Sequence, residues 1–177
     1  MAAVARGAVG DLVTVVLYAS IVVDLGSCWG LGGAVSELRI VRVHDEVTLL
    51  DWQRVHNEIV PTAHLSVDEV RERTGRHVLE VAYDGEVLVG CSTVRPPSEE
   101  TSAVTVIARI LPAYRRQGFG ETLYQHCLQQ AEGAIVETHI LASNVDGVRF
   151  AEKHGFAEVE TYLLPGDTVP FVEMRLG

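Results

Sequence analysis

Arg115-Arg116-Gln117-Gly118-Phe119-Gly120 lies between a β-branched run and an amphipathic run, and its reading decides the rest of the chain. The run before it, Ala103-Val104-Thr105-Val106-Ile107-Ala108-Arg109-Ile110, has the composition of a strand and stops at Leu111-Pro112. The run after it carries Phe119, Leu123, Cys127, Leu128 and Ala131 on one helical face, with Gly133 as the expected C-cap. Glycines at a helix start let the backbone approach a ligand closely. The first-turn N–H groups have no partners inside the helix and sit at the positive end of its dipole. Such a turn suits phosphate, and a pyrophosphate-bearing ligand is the leading reading.

Working outward, Leu38-Arg39-Ile40-Val41-Arg42-Val43 reads as a strand. Asp45 can cap a helix with Leu49, Trp52, Val55 and Ile59 on its apolar face, ended by Pro61. Ser66 and Glu69 form a capping box for a second, short helix. Asp84-Gly85 is expected to join strands His77–Tyr83 and Glu86–Val94 as a tight hairpin. Beyond the glycine turn come a strand from Ile135 to Leu141 and a helix from Val145 to His154, closed by Gly155. Phe156 to Leu163 and Val169 to Leu176 are the last two strands. The order β-α-α-β-β-β-α-β-α-β-β predicts an α/β domain with a mixed sheet.

Composition bounds the function. The chain has 177 residues, 47% hydrophobic and 21% charged, enough for one domain with a full core. A net charge of −10 argues against a general nucleic-acid binder, which needs a basic face. It is compatible with a cationic substrate, or simply with solubility. Cys28, Cys91 and Cys127 are far apart and include no CxxC pair, so reduced cysteines, at least partly buried, in a cytosolic protein are expected. The seven histidines show no HExxH or comparable spacing, so no metal site is expected.

Residues 1–36 stand apart from this pattern. Leu12 to Val23 is uncharged and apolar, but shorter than the roughly 17–25 residues that cross a bilayer. Extending the run would put Asp24 inside the membrane, at about 2.5–3.5 kcal/mol. Only Arg6 precedes the run as a positive side chain, and no small-x-small cleavage site follows. An appended leader before a domain starting at residue 37 is the expectation, with an anchor, a signal or an integral element as alternatives.

Two segments, taken together, resemble the GNAT superfamily of acyl-CoA-dependent N-acetyltransferases. Ile110-Leu111-Pro112-Ala113-Tyr114 followed by Arg115-x-x-Gly118-x-Gly120 is similar to that family's acetyl-CoA motif and its lead-in. Ala142-Ser143-Asn144, then Phe150-Ala151-Glu152-Lys153-His154-Gly155-Phe156, resembles its second, asparagine-led segment. The resemblance runs from residue 37 to 176. It implies a mostly antiparallel mixed sheet with a splayed central strand pair and flanking helices, and acetyl-CoA as cosubstrate. It further implies that the amides of Arg115, Arg116, Gln117, Gly118, Phe119 and Gly120 hold the pyrophosphate. The backbone of Ala108, Arg109 and Ile110 would pair with the pantetheine arm as an added strand. Asn144 would contact the cofactor near the same gap. Two other phosphate-binding fingerprints fit less well: Leu123 stands where a dinucleotide motif needs its third glycine, and no Gly-Lys-Ser/Thr is present.

Transfer to an amine needs a neutral nucleophile, so a base must remove a proton before attack. Strand parity puts Glu137, His139 and Leu141 on one face. His139 occupies the position where some family members carry a basic glutamate, which makes it the candidate base; a packed, non-catalytic histidine is the competing reading. The family's proton-donating tyrosine has its counterpart at Ala151, which cannot donate, leaving Tyr162, Tyr114 or Tyr124 as substitutes. The acceptor is expected to be a small-molecule or peptide amine, bound between residues 52–77 and 95–102, where Glu99 and Glu100 could attract a cation or be merely solvated. No nucleic-acid partner and no membrane partner are expected, and a homodimer is open. A non-catalytic acetyl-CoA-binding or sensing domain is the alternative function.

Overall fold

Local signals start each helix. In a computed structural model, which describes residues 38–98 and 101–177, Asp45 caps α1 (Glu46–Ile59): its carboxylate accepts from Thr48 N at 2.8 Å. The Thr48 hydroxyl answers by accepting from the Asp45 amide at 3.3 Å, closing a capping box. Ser66 and Glu69 make the same reciprocal pair for α2 (Val67–Thr74), with Ser66 N donating to the Glu69 carboxylate at 2.7 Å. Between them Pro61 ends α1 and opens a single 3₁₀ turn, Pro61–Ala63.

Seven strands build one sheet in the order β1-β2-β3-β4-β5-β7-β6. They are β1 (Leu38–Arg42), β2 (Val78–Asp84), β3 (Val87–Arg95), β4 (Val104–Ile110), β5 (Val136–Leu141), β6 (Phe156–Tyr162) and β7 (Phe171–Leu176). Every neighbouring pair is antiparallel except β4 with β5. Helices α3 (Phe119–Gln129) and α4 (Val145–Lys153) complete the expected element order. Among the described residues no helix is long and apolar enough to cross a membrane. Residues 1–36, including Cys28, and the pair Glu99-Glu100 fall outside the described residues.

Parity divides the core between the two sheet faces. On one face α1 and α2 press Leu49, Trp52, Val55 and Val70 onto Leu79, Val81 and Cys91. The Trp52 indole also donates to Ser92 O at 2.8 Å, fixing α1 over β3. On the other face Tyr124 and Cys127 of α3 and Ala151 of α4 meet Val94, Val104, Val106, Val136 and Met174. A buried carboxylate anchors α3 there: Glu80 accepts from Ser92 Oγ at 3.1 Å and Gln130 Nε2 at 3.0 Å, and lies 3.1 Å from His126 Nε2.

Two boundaries depart from the sequence reading. The hairpin residues are Gly85-Glu86, with Asp84 paired to Val87, so the turn sits one residue later than expected. Gly85 has φ 58°, which suits a turn whose first central residue must be left-handed. Helix α3 ends at Gln129 instead of continuing to Gly133, because Gln130 and Ala131 donate to Cys127 and Leu128 in tighter three-residue turns.

The feature that positions the site is a parting of β4 and β5. They pair only at Val104↔Val136 and Thr105↔Glu137. From there β4 stays with β3 as far as Gly90↔Ile110, while β5 stays with β7 as far as Leu141↔Phe171. The backbone of Val106–Ile110 therefore has no strand on its β5 side. Gly90 permits this course: a Cβ there would lie 2.4 Å from Arg109 O and 2.7 Å from Ile110 Cδ1. Gly90→Ala should destabilise the protein by about 1–3 kcal/mol through overpacking against backbone. A urea unfolding midpoint equal to the parent's would refute that crowding.

Candidate functional site

The gap between β4 and β5 opens into a cavity of about 880 Å³. Its walls include Ala108, Arg109, Ile110, Arg115, Arg116, Gly118 and Gly120 at one end. His139, Asn144, Ala151 and Phe171 also line it. Most of the residues singled out from sequence are thus brought together. Gln117 and Phe119 are not on the wall. The Phe119 side chain instead packs with Ala82, Val89 and Leu123, so only its backbone could serve a ligand.

Backbone conformation shapes the turn. Gly118 is the N-cap of α3 with φ 88°, and Arg116 is the one described non-glycine residue with positive φ, at 65°. A left-handed non-glycine residue costs of order 1–2 kcal/mol, a strain that concentrates at functional sites. A Cβ on Gly118 would point into open space, so what excludes a side chain here is the backbone angle and the room left for a ligand. The amides of Phe119, Gly120 and Glu121 begin the helix and have no intrahelical acceptor. Arg115 behaves differently: its amide closes the preceding 3₁₀ turn at 3.4 Å, and its Nε donates to Ile110 O at 3.1 Å. Arg115 therefore ties the turn to the end of β4.

Asn144 caps α4, accepting from Gly147 N at 3.2 Å. A Cβ on Gly147 would come within 2.4 Å of Asn144 Nδ2, so the glycine keeps the asparagine in place at the cavity wall. Ala151 is buried in the same wall. Tyr124 lies nearby, its ring edge-on to Phe150 and His154, with centroids 5.6 and 4.8 Å away.

On the α1/α2 face of the gap, His139 forms a pair with Tyr162. The tyrosine hydroxyl is 3.0 Å from His139 Nδ1, and His139 Nε2 is 3.7 Å from Glu137 Oε1. Tyr162 is held by stacking on Phe171, with centroids 5.8 Å apart. Burial lowers the His139 pKa, the Arg95 charge lowers it further, and Glu137 and Glu173 oppose both. The imidazole is therefore neutral at pH 7. Burial raises the Tyr162 pKa, keeping its proton available. Glu137 is itself buried and occupied: Thr105 Oγ1 donates to it at 3.1 Å, and Arg175 lies 3.5 Å away. The free, buried Cys91 and Cys127 are pushed up to about 11 and about 12 by burial, which makes both poor nucleophiles at neutral pH. Among the described residues no group of three or more His, Cys, Asp or Glu is placed to hold a metal ion.

Of the sequence candidates His139 and Asn144 line the cavity, whereas the surroundings of His139 were not legible. Tyr162 was one of three tyrosine substitutes and was not connected to it. Parity did put Glu137 beside His139. Arg95 carried no local signal beyond standing at the end of a strand.

Solved structures with this fold include N-acetyltransferases. NAA60 from Arabidopsis thaliana, solved in complex with acetyl-CoA, is 16% identical with a TM-score of 0.62, over 78% of this chain and 97% of that one. The ribosomal-protein-S18-alanine N-acetyltransferase of Escherichia coli is 17% identical with a TM-score of 0.64, over 79% and 93%. Spermidine N-acetyltransferase SpeG of Vibrio cholerae, solved as a mutant, is 17% identical with a TM-score of 0.63, over 80% and 94%. No curated protein sequence matches. The sequence model of the acetyltransferase (GNAT) family matches residues 44–156, spanning the capped helices, the parted strands, the glycine turn and Asn144. The chain belongs to the acetyltransferase (GNAT) family.

Proposed function

We propose that this protein transfers an acetyl group from acetyl-CoA to a primary amine by direct attack in a ternary complex. One observation carries the reading: a single cavity joins the turn at Arg115–Gly120 to His139 through the gap beside Ala108–Ile110. Amides at the start of α3 suit the pyrophosphate. The unpaired edge of β4 suits the amide-bearing pantetheine arm, which takes the place of a missing strand. The acetyl-CoA complex of the Arabidopsis neighbour supports this cosubstrate. The E. coli and Vibrio neighbours, named for alanine and spermidine acetylation, support an amine acceptor. The domain begins at residue 37 in this reading, and its free buried thiols suit a reducing compartment such as the cytosol.

In the reaction the amine nitrogen forms a bond to the acetyl carbonyl carbon and the carbon–sulfur bond breaks. The amine proton passes to neutral His139, directly or through a water. Tyr162 orients the imidazole, and His139 returns to the thiolate the proton it took from the amine. One proton thus moves from nitrogen to sulfur and both side chains end as they began, so Tyr162 is a positioning residue. Ala151, at the place where the family carries a donor, leaves His139 to make both transfers. It also favours the second reading, an acetyl-CoA-binding or sensing module without turnover.

Calorimetry with acetyl-CoA should show binding at micromolar concentration, and a thiol-release assay over a panel of amines should show turnover. Absence of binding overturns the whole reading, whereas binding without release supports the sensing module. Gly118→Val should weaken acetyl-CoA binding by about tenfold or more, because valine disfavours φ 88° and fills the approach to the turn. Unchanged affinity with an intact circular dichroism spectrum would remove the turn from the site. His139→Phe should lower kcat by about 10²–10⁴. Since the folded pKa lies below 6.5, the protonation limb owed to His139 falls below that pH and should vanish in the variant. Any rise above pH 7 reports the amine and should survive.

A further inference from the structure

Arginines in this protein are paired where pairing matters least. Those beside carboxylates are exposed: Arg39 with Glu86, Arg71 with Asp68 and Glu46, Arg76 with Glu72, and Arg175 with Glu137 and Glu173. Arg73, Arg95 and Arg109 are each half-buried, and among the described residues none has a carboxylate oxygen within 4.0 Å. Buried charge without a partner is costly, so the usual distribution is the reverse.

Arg109 lines the gap, Arg95 lies on the same α1/α2 face of the sheet, and Arg73, in the last turn of α2, is near enough for its charge to lower both. Register sets Arg109 opposite Cys91. Its Nη1 reaches back to Thr93 Oγ1 at 3.4 Å. Arg95 stands two residues beyond Thr93, hence on the same face. Its Nε is buried with no hydrogen-bond partner, as are His56 Nδ1 and His77 Nδ1. Burial lowers the pKa of all three guanidinium groups. Arg109 and Arg73 lower Arg95 further, and Arg73 lowers Arg109. Three histidines face the cluster. Burial and then Arg109 push His56 down to about 4, while burial and then Arg95 lower His77 and His139. None of the three adds charge at pH 7. The acids that face the cluster have other partners. Glu69 and Glu72 favour the charge on Arg73, but Glu69 accepts from Ser66 and Glu72 lies 3.1 Å from Arg76. Glu137 favours the charge on Arg95 from beyond 4.0 Å, but it is taken by Arg175 and Thr105. Glu173 also lies beside Arg175, at 3.4 Å.

We propose that Arg109, on the cavity wall and reinforced by the charges of Arg95 and Arg73, binds an anionic group, carboxylate or phosphate, carried by the amine acceptor, as an α-amino acid carries its carboxylate. The inference rests on the acetyltransferase reading and names the substrate class of that same site. Guanidinium forks match both oxyanions, and their mutual repulsion is relieved when one enters. Arg109 and His139 line one cavity, so an anion held at the first leaves an amine on a nearby carbon facing the second. The cluster thus selects against the simple cationic amine that the overall acidic charge suggests.

The test compares matched acceptors: an α-amino acid, its uncharged carboxamide, and the aminophosphonic acid of the same skeleton. Each is titrated by calorimetry into the CoA-saturated protein and assayed for thiol release. In the parent, the two anionic forms should bind and react at least tenfold better than the amide, roughly the effect of one charge-assisted hydrogen bond. The two anions then rank carboxylate against phosphate. In Arg95→Gln that preference should collapse while acetyl-CoA affinity stays at the parent value. A structural role for Arg95 predicts a less stable variant; a binding role predicts equal or greater resistance to urea, because repulsion is removed. Equal or better use of the amide by the parent overturns the proposal, as does discrimination retained in Arg95→Gln or binding of none of the three. Failure of acetyl-CoA itself to bind is a separate result, and it overturns the underlying transferase reading instead.

Discussion

The rest of the site depends on the last rung between β4 and β5. Thr105 and Glu137 are paired there in backbone register, and their side chains meet as well, at 3.1 Å. The same carboxylate lies 3.5 Å from Arg175 on β7, so three strands are tied at one buried point. Past it, each central strand follows its outer neighbour. The sheet's right-handed twist then carries them apart, because no hydrogen bond holds the inner edges together. An unpaired β edge inside a domain is normally a liability. Here it is the one place where an extended, amide-bearing chain can enter the middle of the sheet.

Splaying also turns one sheet into two working faces. Ala108 and Ile110 point toward α3 and the turn, while Ile107 and Arg109 point toward α1 and α2. Successive residues of one short strand therefore serve opposite ends of a single cavity. The turn side is built from backbone, since Gly118 and the first amides of α3 offer donors without side chains. The opposite side is built from side chains: His139, Tyr162, Glu137 and the half-buried arginines. That division suits a reaction in which one substrate is constant and the other varies between relatives.

Elements were legible in the sequence wherever the deciding forces were local. The Asp45 cap, the Ser66–Glu69 capping box and the Pro61 stop are set by residues within a few positions of each other, and they stand as read. The misreadings are boundaries, at the hairpin and at the end of α3, where competing local turns decide. Just past α3, Gln130 also turns its side chain toward Glu80, fifty residues away in sequence. At the site, the glycine turn and Asn144 follow a motif. The partners of His139 come from β6, from the same strand and from the end of β3, and periodicity links only Glu137, on its own strand, to it. Residue type was visible in each case, whereas the environment that sets its chemistry was not.

Charge shows the same gap between local and global information. A net charge of −10 describes the exposed surface, where water and salt screen most of the field beyond about 8–10 Å. Where Arg109 lines the cavity, a ligand meets a half-buried positive group in a lower dielectric, and the charges of Arg95 and Arg73 add to it. Their lack of carboxylate partners is destabilising in the free protein. Such a cost persists in a fold when occupancy of the site offsets it, as with the left-handed Arg116 at the other end of the cavity. Strain at the turn and repulsion around Arg109 thus lie along the wall of one cavity.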